Sequence, residues 1–466
     1  MPEIEESLCR PEHSSLLAPA GYGKTEEIVR AVSISEGKQL ILTHTNAGVA
    51  SLKSRLRKFK VPNFKFSIDT IASWLLKYSA AYPKISGLTE VHPEQNEWQQ
   101  VYTASMNLFH CKFIREIIQS TYSGVFIDEY QDCTLVQHNL VVRLADMLPV
   151  RILGDPLQGI FGFRDDDPLI NWDSDVLPIF KPLPELQIPW RWINGNKELG
   201  NWLIKLRKSL LDDERMDLST VSEIEWYEWS IEKEIEIGYK TLKNKGSIVG
   251  IQMWPKDAHA SAKRLGGIYQ SMEEMECKSL MYWVDQFDQN DGIPLVISVI
   301  NFIYECMVQE NYFSEVIKLL KEKDVDGLLS IDNRELGLAF NRLATVRDLS
   351  SIVIIILDIL KNKQLKIYRR ELLGEMKRSV QALSSEGYQN LHDAAWNIRY
   401  RTRVNGRKPE WKTISRTLLI KGLEFDHAII LDASKLQNKM HFYVAATRGS
   451  QSLAILSPSP IIYFGS

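Results

Sequence analysis

The chain has 466 residues, of which 44% are hydrophobic and 25% are charged, and its formal net charge is -3. These proportions are ordinary for a folded globular protein. The small negative charge excludes a global basic surface, so any nucleic acid must bind in a local groove.

Cysteine spacing and apolar runs exclude further classes of protein. No cysteine pair has the CxxC spacing of a zinc site, which predicts reduced thiols in a cytosol. The longest apolar runs, residues 294–307 and 349–360, are too short to span a bilayer, and the acidic first residues lack a signal-peptide layout. We therefore expect a cytoplasmic protein that makes no membrane contact. The five cysteines are Cys9, Cys111, Cys133, Cys277 and Cys306.

The first predicted strand, residues 15–19, leads into a loop that is typical of phosphate binding. The loop follows the pattern GxxxxGK[ST], with Ala18 at the first glycine position. Its glycines let backbone N–H groups turn toward an anion, Lys24 would reach the β- and γ-phosphates, and Thr25 would hold Mg²⁺. The alternative is a glycine-rich turn with a chance GKT. The residues predicted to bind ATP here are Ala20, Gly21, Tyr22, Gly23, Lys24 and Thr25.

Three further apolar strands are predicted to begin at residues 39, 124 and 150. Such near-continuous apolar runs, alternating with helical segments, are typical of a parallel sheet buried on both faces. The strand from residue 124 ends in Asp128 and Glu129, which predicts a Mg²⁺ ligand followed by a residue that polarises the attacking water. The alternative is a strand that merely ends in an acidic loop.

Residues 286–405 have helical patterns and almost no strand signal, which returns near residues 427 and 452. This order predicts a helical block inserted into a second α/β domain. Basic stretches at 368–370 and 399–407 would contact duplex or protein, or would form a solvated helix face.

Six motifs in order resemble the UvrD/Rep/PcrA-like DNA helicases of superfamily 1. The sequence DEYQD matches the family's DExQD, and the segment that follows the next strand matches its GDxxQxIYxWR. KGLEFD is unaltered, and YVAATR has one leucine changed to alanine. The six segments are residues 18–25, 42–46, 128–132 with 154–164, 188–192, 421–426 and 443–448.

The resemblance implies an α/β fold with two RecA-like parallel-sheet domains of the P-loop NTPase type and mainly helical inserted subdomains. It also implies subdomain limits. The first RecA-like domain would comprise 1–75 and 112–188, with a small helical insertion at 76–111. The second would comprise 189–285 and 406–466, with a helical insertion at 286–405.

The resemblance also assigns roles at the ATP site. Arg191 and Arg448 would act as arginine fingers from the second domain across the cleft. Trp190 would stack on adenine, or would simply pack in the core, while Glu424 would touch the ribose and Gly422 would let the backbone come close. The residues implied in catalysis are Lys24, Asp128, Glu129, Gln158, Arg191 and Arg448.

Single-stranded DNA is the partner that the resemblance implies. Phe161 and Phe163 match aromatic positions that stack on bases, and core packing is the alternative for both. Thr43, His44 and Asn46 would line the same track. Stacking tolerates any base, because every base has a π-face.

We therefore expect an ATP-dependent translocase that moves 3′ to 5′ on single-stranded DNA, with ATP and Mg²⁺ at its site. The compact size also resembles the helicase-like subunit of Gabija-type anti-phage systems, which works with a separate nuclease. The alternative is thus a DNA- and nucleotide-sensing ATPase subunit that regulates a nuclease and unwinds little. A third possibility, a DNA-binding scaffold without ATP turnover, is disfavoured because the whole set of ATP-facing residues is present.

Overall fold

The computed structural model describes residues 4–88, 98–162, 166–274, 277–405 and 410–464, with no account of the side chains of 403–405. The chain forms two compact units. The first unit comprises Met1–Met216, Asn438–Gln451 and Tyr463–Ser466. The second unit comprises Asp217–Gln437 and Ser452–Ile462. The four predicted subdomains stay a prediction.

Helices and strands alternate through most of the chain before residue 217. In chain order these elements are α1 (Ile4–Leu8), β1 (Ser14–Leu17), α2 (Lys24–Ile34), β2 (Gln39–Thr43), α3 (Asn46–Lys58), β3 (Phe66–Thr70), α4 (Ile71–Ala81), α5 (Pro83–Ser86), α6 (Trp98–His110), α7 (Lys112–Thr121), β4 (Gly124–Ile127), α8 (Leu135–Ala145), β5 (Val150–Gly154), β6 (Lys181–Pro182), α9 (Trp190–Ile193), α10 (Lys197–Leu211) and β7 (Met216–Asp217).

The first unit contains a six-stranded parallel sheet in the order β3-β2-β4-β5-β1-β6. Ile41 of β2 aligns with Phe126 of β4, and Ile127 of β4 aligns with Ile152 of β5. Because the strands are parallel, their carboxyl ends meet at one edge, where open α/β sheets bind ligands. β5 lies between β1 and β4 in the sheet. The segment after β5 therefore lies between the segment after β1 and the segment after β4.

Alternate residues of the central strands pack into cores on opposite faces of this sheet. Ile41 and Phe126 pack with the apolar face of α2, including Ile28 and Val29. Their neighbours on the strands, such as Leu40 and Val125, pack instead with residues of α4, α6 and α8. This two-sided burial explains why these strands are apolar throughout.

The remaining elements begin at residue 225. They are β8 (Glu225–Glu228), α11 (Ile231–Thr241), β9 (Ile248–Gln252), α12 (Pro255–Arg264), β10 (Gln270–Ser271), α13 (Lys278–Gln289), α14 (Gly292–Cys306), α15 (Ser314–Lys321), α16 (Arg334–Val346), α17 (Ser351–Lys361), α18 (Arg370–Glu386), α19 (Leu391–Asn405), β11 (Lys412–Arg416), α20 (Thr417–Ile420), β12 (Phe425–Ile430), α21 (Lys439–Ala446), β13 (Gly449–Ser457) and β14 (Ile461–Ile462).

A second six-stranded sheet has the order β10-β11-β9-β12-β13-β8. The pairs β10–β11, β11–β9, β9–β12 and β13–β8 are parallel. Helices α13 to α19 lie between β10 and β11 in the chain and share a separate hydrophobic core built from residues such as Phe287, Phe302, Phe340 and Ile356. Two parallel sheets with an inserted helical block confirm the predicted α/β class.

A buried ion pair joins the segment after β10 to the start of α18. Arg369, 2% exposed, donates from Nε and Nη2 to the two carboxylate oxygens of Glu273 at 2.7 and 2.6 Å. Arg369 also pairs with Glu305. Burial lowers the pKa of Arg369, but the Glu273 carboxylate outweighs that effect and raises it above the ordinary value. The helical block is therefore anchored to its sheet by a forked, solvent-excluded contact.

Replacing Arg369 with Leu is expected to lower the free energy of unfolding of the second unit by about 3–5 kcal/mol, because the Glu273 carboxylate would stay buried without the guanidinium that neutralises it. Thermal unfolding followed by circular dichroism would measure the loss. The double variant Arg369→Leu/Glu273→Leu is the control, and it should recover most of the stability because no lone buried charge remains. A single variant as stable as the parent would contradict the ion pair.

No helix in the described part of the chain combines the length and the hydropathy needed to cross a lipid bilayer.

Candidate nucleotide-binding site

The loop between β1 and α2 has the backbone geometry of a phosphate cradle. Gly21 and Gly23 have positive φ angles of 76° and 89°, which glycine adopts without strain. Helix α2 begins at Lys24 and runs for 11 residues. The first N–H groups of a helix have no acceptor within the helix and carry its positive end, so they attract an anion. The loop can therefore bind phosphate through its backbone.

Helix α9 packs directly against this loop. The Arg191 backbone N–H donates to the Gly21 carbonyl at 3.1 Å. A Cβ at Gly21 would lie 2.7 Å from Cζ3 of Trp192, so only glycine allows this approach. A Cβ at Gly23 would lie 3.2 Å from Cδ1 of Trp190, whose side chain is 48% exposed. Trp190 therefore presents a half-exposed indole beside the loop, where it could stack on a base.

Lys24 and Thr25 meet the two carboxylates that follow β4. The Lys24 ammonium, which is buried, donates to the Ala18 carbonyl at 3.3 Å and lies 3.9 Å from Oε1 of Glu129. The Thr25 hydroxyl donates to Oδ2 of Asp128 at 3.1 Å. The segment after β1 and the segment after β4 thus form one polar cluster.

Asp128 and Thr25 present the oxygen ligands that Mg²⁺ prefers. Asp128 is 4% exposed. Burial, followed by the neighbouring Glu129 carboxylate, raises the pKa of Asp128 to about 6. A buried carboxylate with a raised pKa gains most from a nearby cation, because the cation stabilises its ionised form. These two residues therefore fit a magnesium ion shared with a phosphate.

Glu129 is held in an unusual backbone conformation. Its φ and ψ are 57° and 41°, a left-handed conformation that costs energy for a non-glycine residue. Its Oε2 accepts a hydrogen bond from Nε2 of Gln131 at 2.6 Å. Its side chain is 26% exposed, so water can reach it.

A buried network follows β5 and connects Gln158 to the phosphate loop. Asp155 accepts from Nε2 of Gln158 at 2.9 Å and from Nη1 of Arg207 at 2.6 Å. The Arg207 guanidinium lies 5.6 Å from the ring centroid of Tyr443. The Tyr443 hydroxyl accepts a hydrogen bond from the N–H of Ala20 at 3.3 Å, so this N–H of the loop already has an acceptor. This series of contacts links Gln158, in the segment after β5, to Ala20 in the phosphate loop.

Burial lowers the pKa of Arg207, but Asp155 and Tyr443 outweigh that effect and raise it above the ordinary value. Burial raises the pKa of Tyr443 in turn. Both groups therefore keep their usual charge states at neutral pH, with Arg207 positive and Tyr443 neutral.

Arg191 and Arg448 lie in the same compact unit as the phosphate loop. Arg448 is 1% exposed and donates from Nε to the Val444 carbonyl at 2.7 Å. Its Nη2 lies 3.4 Å from Oε1 of Gln158. Arg191 donates from Nη1 to the Thr447 carbonyl at 2.7 Å. The Arg448 guanidinium thus lies beside Gln158, and the Arg191 guanidinium contacts the backbone of the preceding residue, Thr447.

The other predicted site residues fall into three groups. Thr43 ends β2 and is buried. His44 and Asn46 follow it at the carboxyl edge of the first sheet. Nε2 of His44 lies 3.4 Å from Sγ of Cys133. Phe161 is half-buried beyond Gln158, and Phe163 lies outside the described residues. Gly422 and Glu424 belong to the second unit and are exposed between α20 and β12.

Sequence reasoning missed four members of the cluster, namely Gln131, Asp155, Arg207 and Tyr443. Three of them lie inside quoted motifs, and their positions within DEYQD, GDPLQ and YVAATR were a signal that could have been read. Arg207 lies in α10, outside any motif, and only its tertiary contacts single it out.

A parallel-sheet α/β unit with a phosphate loop, paired carboxylates and two nearby arginines defines a nucleotide-hydrolase type of site. Residues 89–171 match the family model of the UvrD/REP helicase N-terminal domain. This match and the two relatives described next confirm the resemblance to UvrD-like superfamily 1 helicases.

Two relatives align with short parts of the chain. Gabija protein GajB of Bacillus cereus (strain VD045) is 45% identical over 56 residues, which is 12% of this chain and 11% of the relative. An ATP-dependent helicase/nuclease subunit from Oenococcus oeni (strain ATCC BAA-331 / PSU-1) is 39% identical over 64 residues, or 14% of this chain and 5% of the relative. Each alignment thus spans only a small part of the relative's own length.

Helicase structures are also similar at low identity. The arterivirus nonstructural protein 10 helicase covers 96% of this chain and 60% of its own length, with 10% identity and a TM-score of 0.36. The Bacteroides Pif1 helicase in complex with ADP-AlF3 and single-stranded DNA covers 52% of this chain and 56% of its own length, with 13% identity and a TM-score of 0.28.

Proposed function

We propose that this protein is an ATP-driven motor of the UvrD-like superfamily 1 type, which hydrolyses ATP to move 3′ to 5′ along single-stranded DNA. The observation that carries the proposal is the meeting of the phosphate-loop residues with the acidic pair and Gln158 at one sheet edge. Thr25 bonds Asp128, Lys24 lies beside Glu129, and Gln158 lies beside Arg448.

The chain's own groups divide the work of phosphoryl transfer. Lys24 neutralises the β- and γ-phosphates, and the start of α2 adds its N–H groups and helix dipole. Thr25 and Asp128 would hold Mg²⁺, which supplies charge neutralisation at the phosphates when bound. Trp190, half-exposed beside Gly23, would stack on adenine, and the ribose contacts of Gly422 and Glu424 are taken from the resemblance alone.

Glu129 is the candidate base. It is reachable by water and is close enough to Lys24 to share the same phosphate environment. It would orient the attacking water and accept its proton. Arg448 and Arg191 would stabilise the charge that spreads over the phosphate oxygens in the transition state, for which a planar guanidinium is well suited.

The DNA track would run along the same carboxyl edge of the first sheet. His44, Asn46 and Phe161 follow β2 and β5 there, so a bound strand would lie one short loop away from the ATP site. A shift of Gln158 that accompanies a change of nucleotide would then displace Phe161, which lies three residues further along the chain. The 3′-to-5′ direction is taken from the resemblance.

Replacing Lys24 with Ala is expected to abolish ATP hydrolysis stimulated by single-stranded DNA, because the phosphate charge would lose its buried partner. Steady-state phosphate release with and without an oligonucleotide measures this. Lys112→Ala, which alters a lysine whose side chain is 91% exposed, is the matched control and should behave like the parent. Hydrolysis by Lys24→Ala at the parental rate would disprove the assigned site.

A second candidate is a DNA- and nucleotide-sensing ATPase subunit that regulates a separate nuclease. The similarity to Gabija protein GajB and to a helicase/nuclease subunit favours it. Displacement of streptavidin from one end of a biotinylated single strand would separate the two candidates. Release from the 5′ end alone supports 3′-to-5′ movement. ATP turnover without displacement, together with a co-purifying nuclease, supports the sensing role.

A further inference from the structure

Gln131 connects the candidate base to the end of β5 through two hydrogen bonds. Its Nε2 donates to Oε2 of Glu129 at 2.6 Å, and its Oε1 accepts the backbone N–H of Asp155 at 2.9 Å. The residue is 3% exposed, so water does not compete for either bond. The side chain therefore spans from one catalytic segment to the next.

The orientation of this amide is fixed by chemistry. The Asp155 N–H is a donor and nothing else, so the carbonyl oxygen of Gln131 must face it. The amide nitrogen must then face Glu129, to which it can only donate. A donor that cannot turn away holds Oε2 of Glu129 in place, while Oε1 lies 3.9 Å from the Lys24 ammonium.

The amide of Gln131 packs closely against the end of β5. A Cβ at Gly154 would lie 2.8 Å from Oε1 of Gln131 and 2.7 Å from Cζ3 of Trp172, so glycine at the end of β5 makes room for the amide. Asp155 is itself fixed by Arg207 and Gln158. Glu129 itself has a left-handed backbone, a conformation that persists only where the surrounding structure holds it.

We propose that Gln131 is the positioning residue for Glu129, an amide clamp that aims the base at the attacking water during ATP hydrolysis. The inference rests on the proposed ATPase function and deepens it. It assigns no chemistry to Gln131 itself, which acts on the reaction only through Glu129.

Two substitutions separate this role from simple structural support. Gln131→Glu keeps an acceptor for the Asp155 N–H but replaces the donor to Glu129 with an oxygen. Gln131→Met removes both bonds at similar volume. Because misplacement of a catalytic group by an ångström costs about 100-fold, both variants should lower kcat by about 10- to 100-fold and leave the KM for ATP unchanged.

A double-mutant cycle tests whether Gln131 acts through Glu129. Gln131→Met placed in a Glu129→Gln background should cause no further loss of kcat, because there is no longer a base to position. Single-turnover hydrolysis measures all four proteins, and thermal unfolding with fluorescent ATP-analogue binding reports whether each folds and binds.

The outcomes are distinct. Loss of kcat in both single variants, without additivity in the cycle, supports the clamp. A parental kcat in Gln131→Glu, or additive losses with Glu129→Gln, overturns it while the ATPase function stands. A parent protein that hydrolyses no ATP overturns the clamp and the proposed function together.

Discussion

Glu129→Gln is expected to reduce ATP hydrolysis by about 10²- to 10⁴-fold, the usual contribution of a general base. The amide keeps the shape of the side chain but cannot accept a proton from water. Lys24, Thr25 and Asp128 are untouched, so ATP should bind as tightly as before. Single-turnover hydrolysis measures the first effect, and titration with a fluorescent ATP analogue measures the second.

Glu116→Gln is the matched control for this substitution. Its carboxylate is 60% exposed on α7 and pairs only weakly with Lys112 at 3.8 Å, so the change should leave hydrolysis unaltered. If Glu129→Gln turned over ATP at the parental rate, the base would have to be sought elsewhere. Weakened ATP binding with a normal kcat would instead show that Glu129 contributes to the binding of ATP and not to the chemical step.

The parts of the site that could be predicted from the sequence are those encoded by local pattern. An apolar strand, a glycine-rich turn and GKT occupy consecutive residues, so backbone geometry and chemistry are specified together. The same holds for Asp128 and Glu129 at the end of β4. Parallel strands then bring separate segments to one edge, which is why Thr25 and Asp128 meet although they are far apart in the chain.

The parts that escaped prediction depend on tertiary contacts between side chains. Arg207 reaches Asp155 from a helix whose sequence reads as an ordinary amphipathic surface helix. Tyr443 bonds Ala20 across more than four hundred residues. Neither contact leaves a periodic or compositional signal, because each depends on where two distant elements pack.

The limits of the two compact units depend on which segments pack together. The chain passes from the first unit to the second near Asp217 and returns at Asn438. The return segment contains Tyr443 and Arg448, so α21 reaches the loop formed at the start of the chain through tertiary contacts such as the hydrogen bond between Ala20 and Tyr443.

Arg448→Ala is expected to lower ATP turnover by about 10³-fold or more, the range seen when an arginine that stabilises phosphoryl transfer is removed. The guanidinium lies beside Gln158, at the edge where the β5 segment meets the phosphate loop. Its charge would act mainly in the transition state, so kcat should fall more than ATP affinity. Single-turnover hydrolysis and analogue titration again separate the two quantities.

Because Arg448 is buried and bonds the Val444 carbonyl and the Thr447 hydroxyl, we expect the alanine variant to lose stability as well as activity. Arg448→Lys keeps the positive charge and much of the volume but lacks the planar fork, so it should fold and still hydrolyse ATP slowly. Arg378→Ala, at an arginine that is 50% exposed, is the control and should match the parent. If Arg448→Lys instead retained full turnover, a forked contact with the transferring phosphate would be excluded, and the part left to Arg448 would be to hold Gln158 and the end of α21 in place.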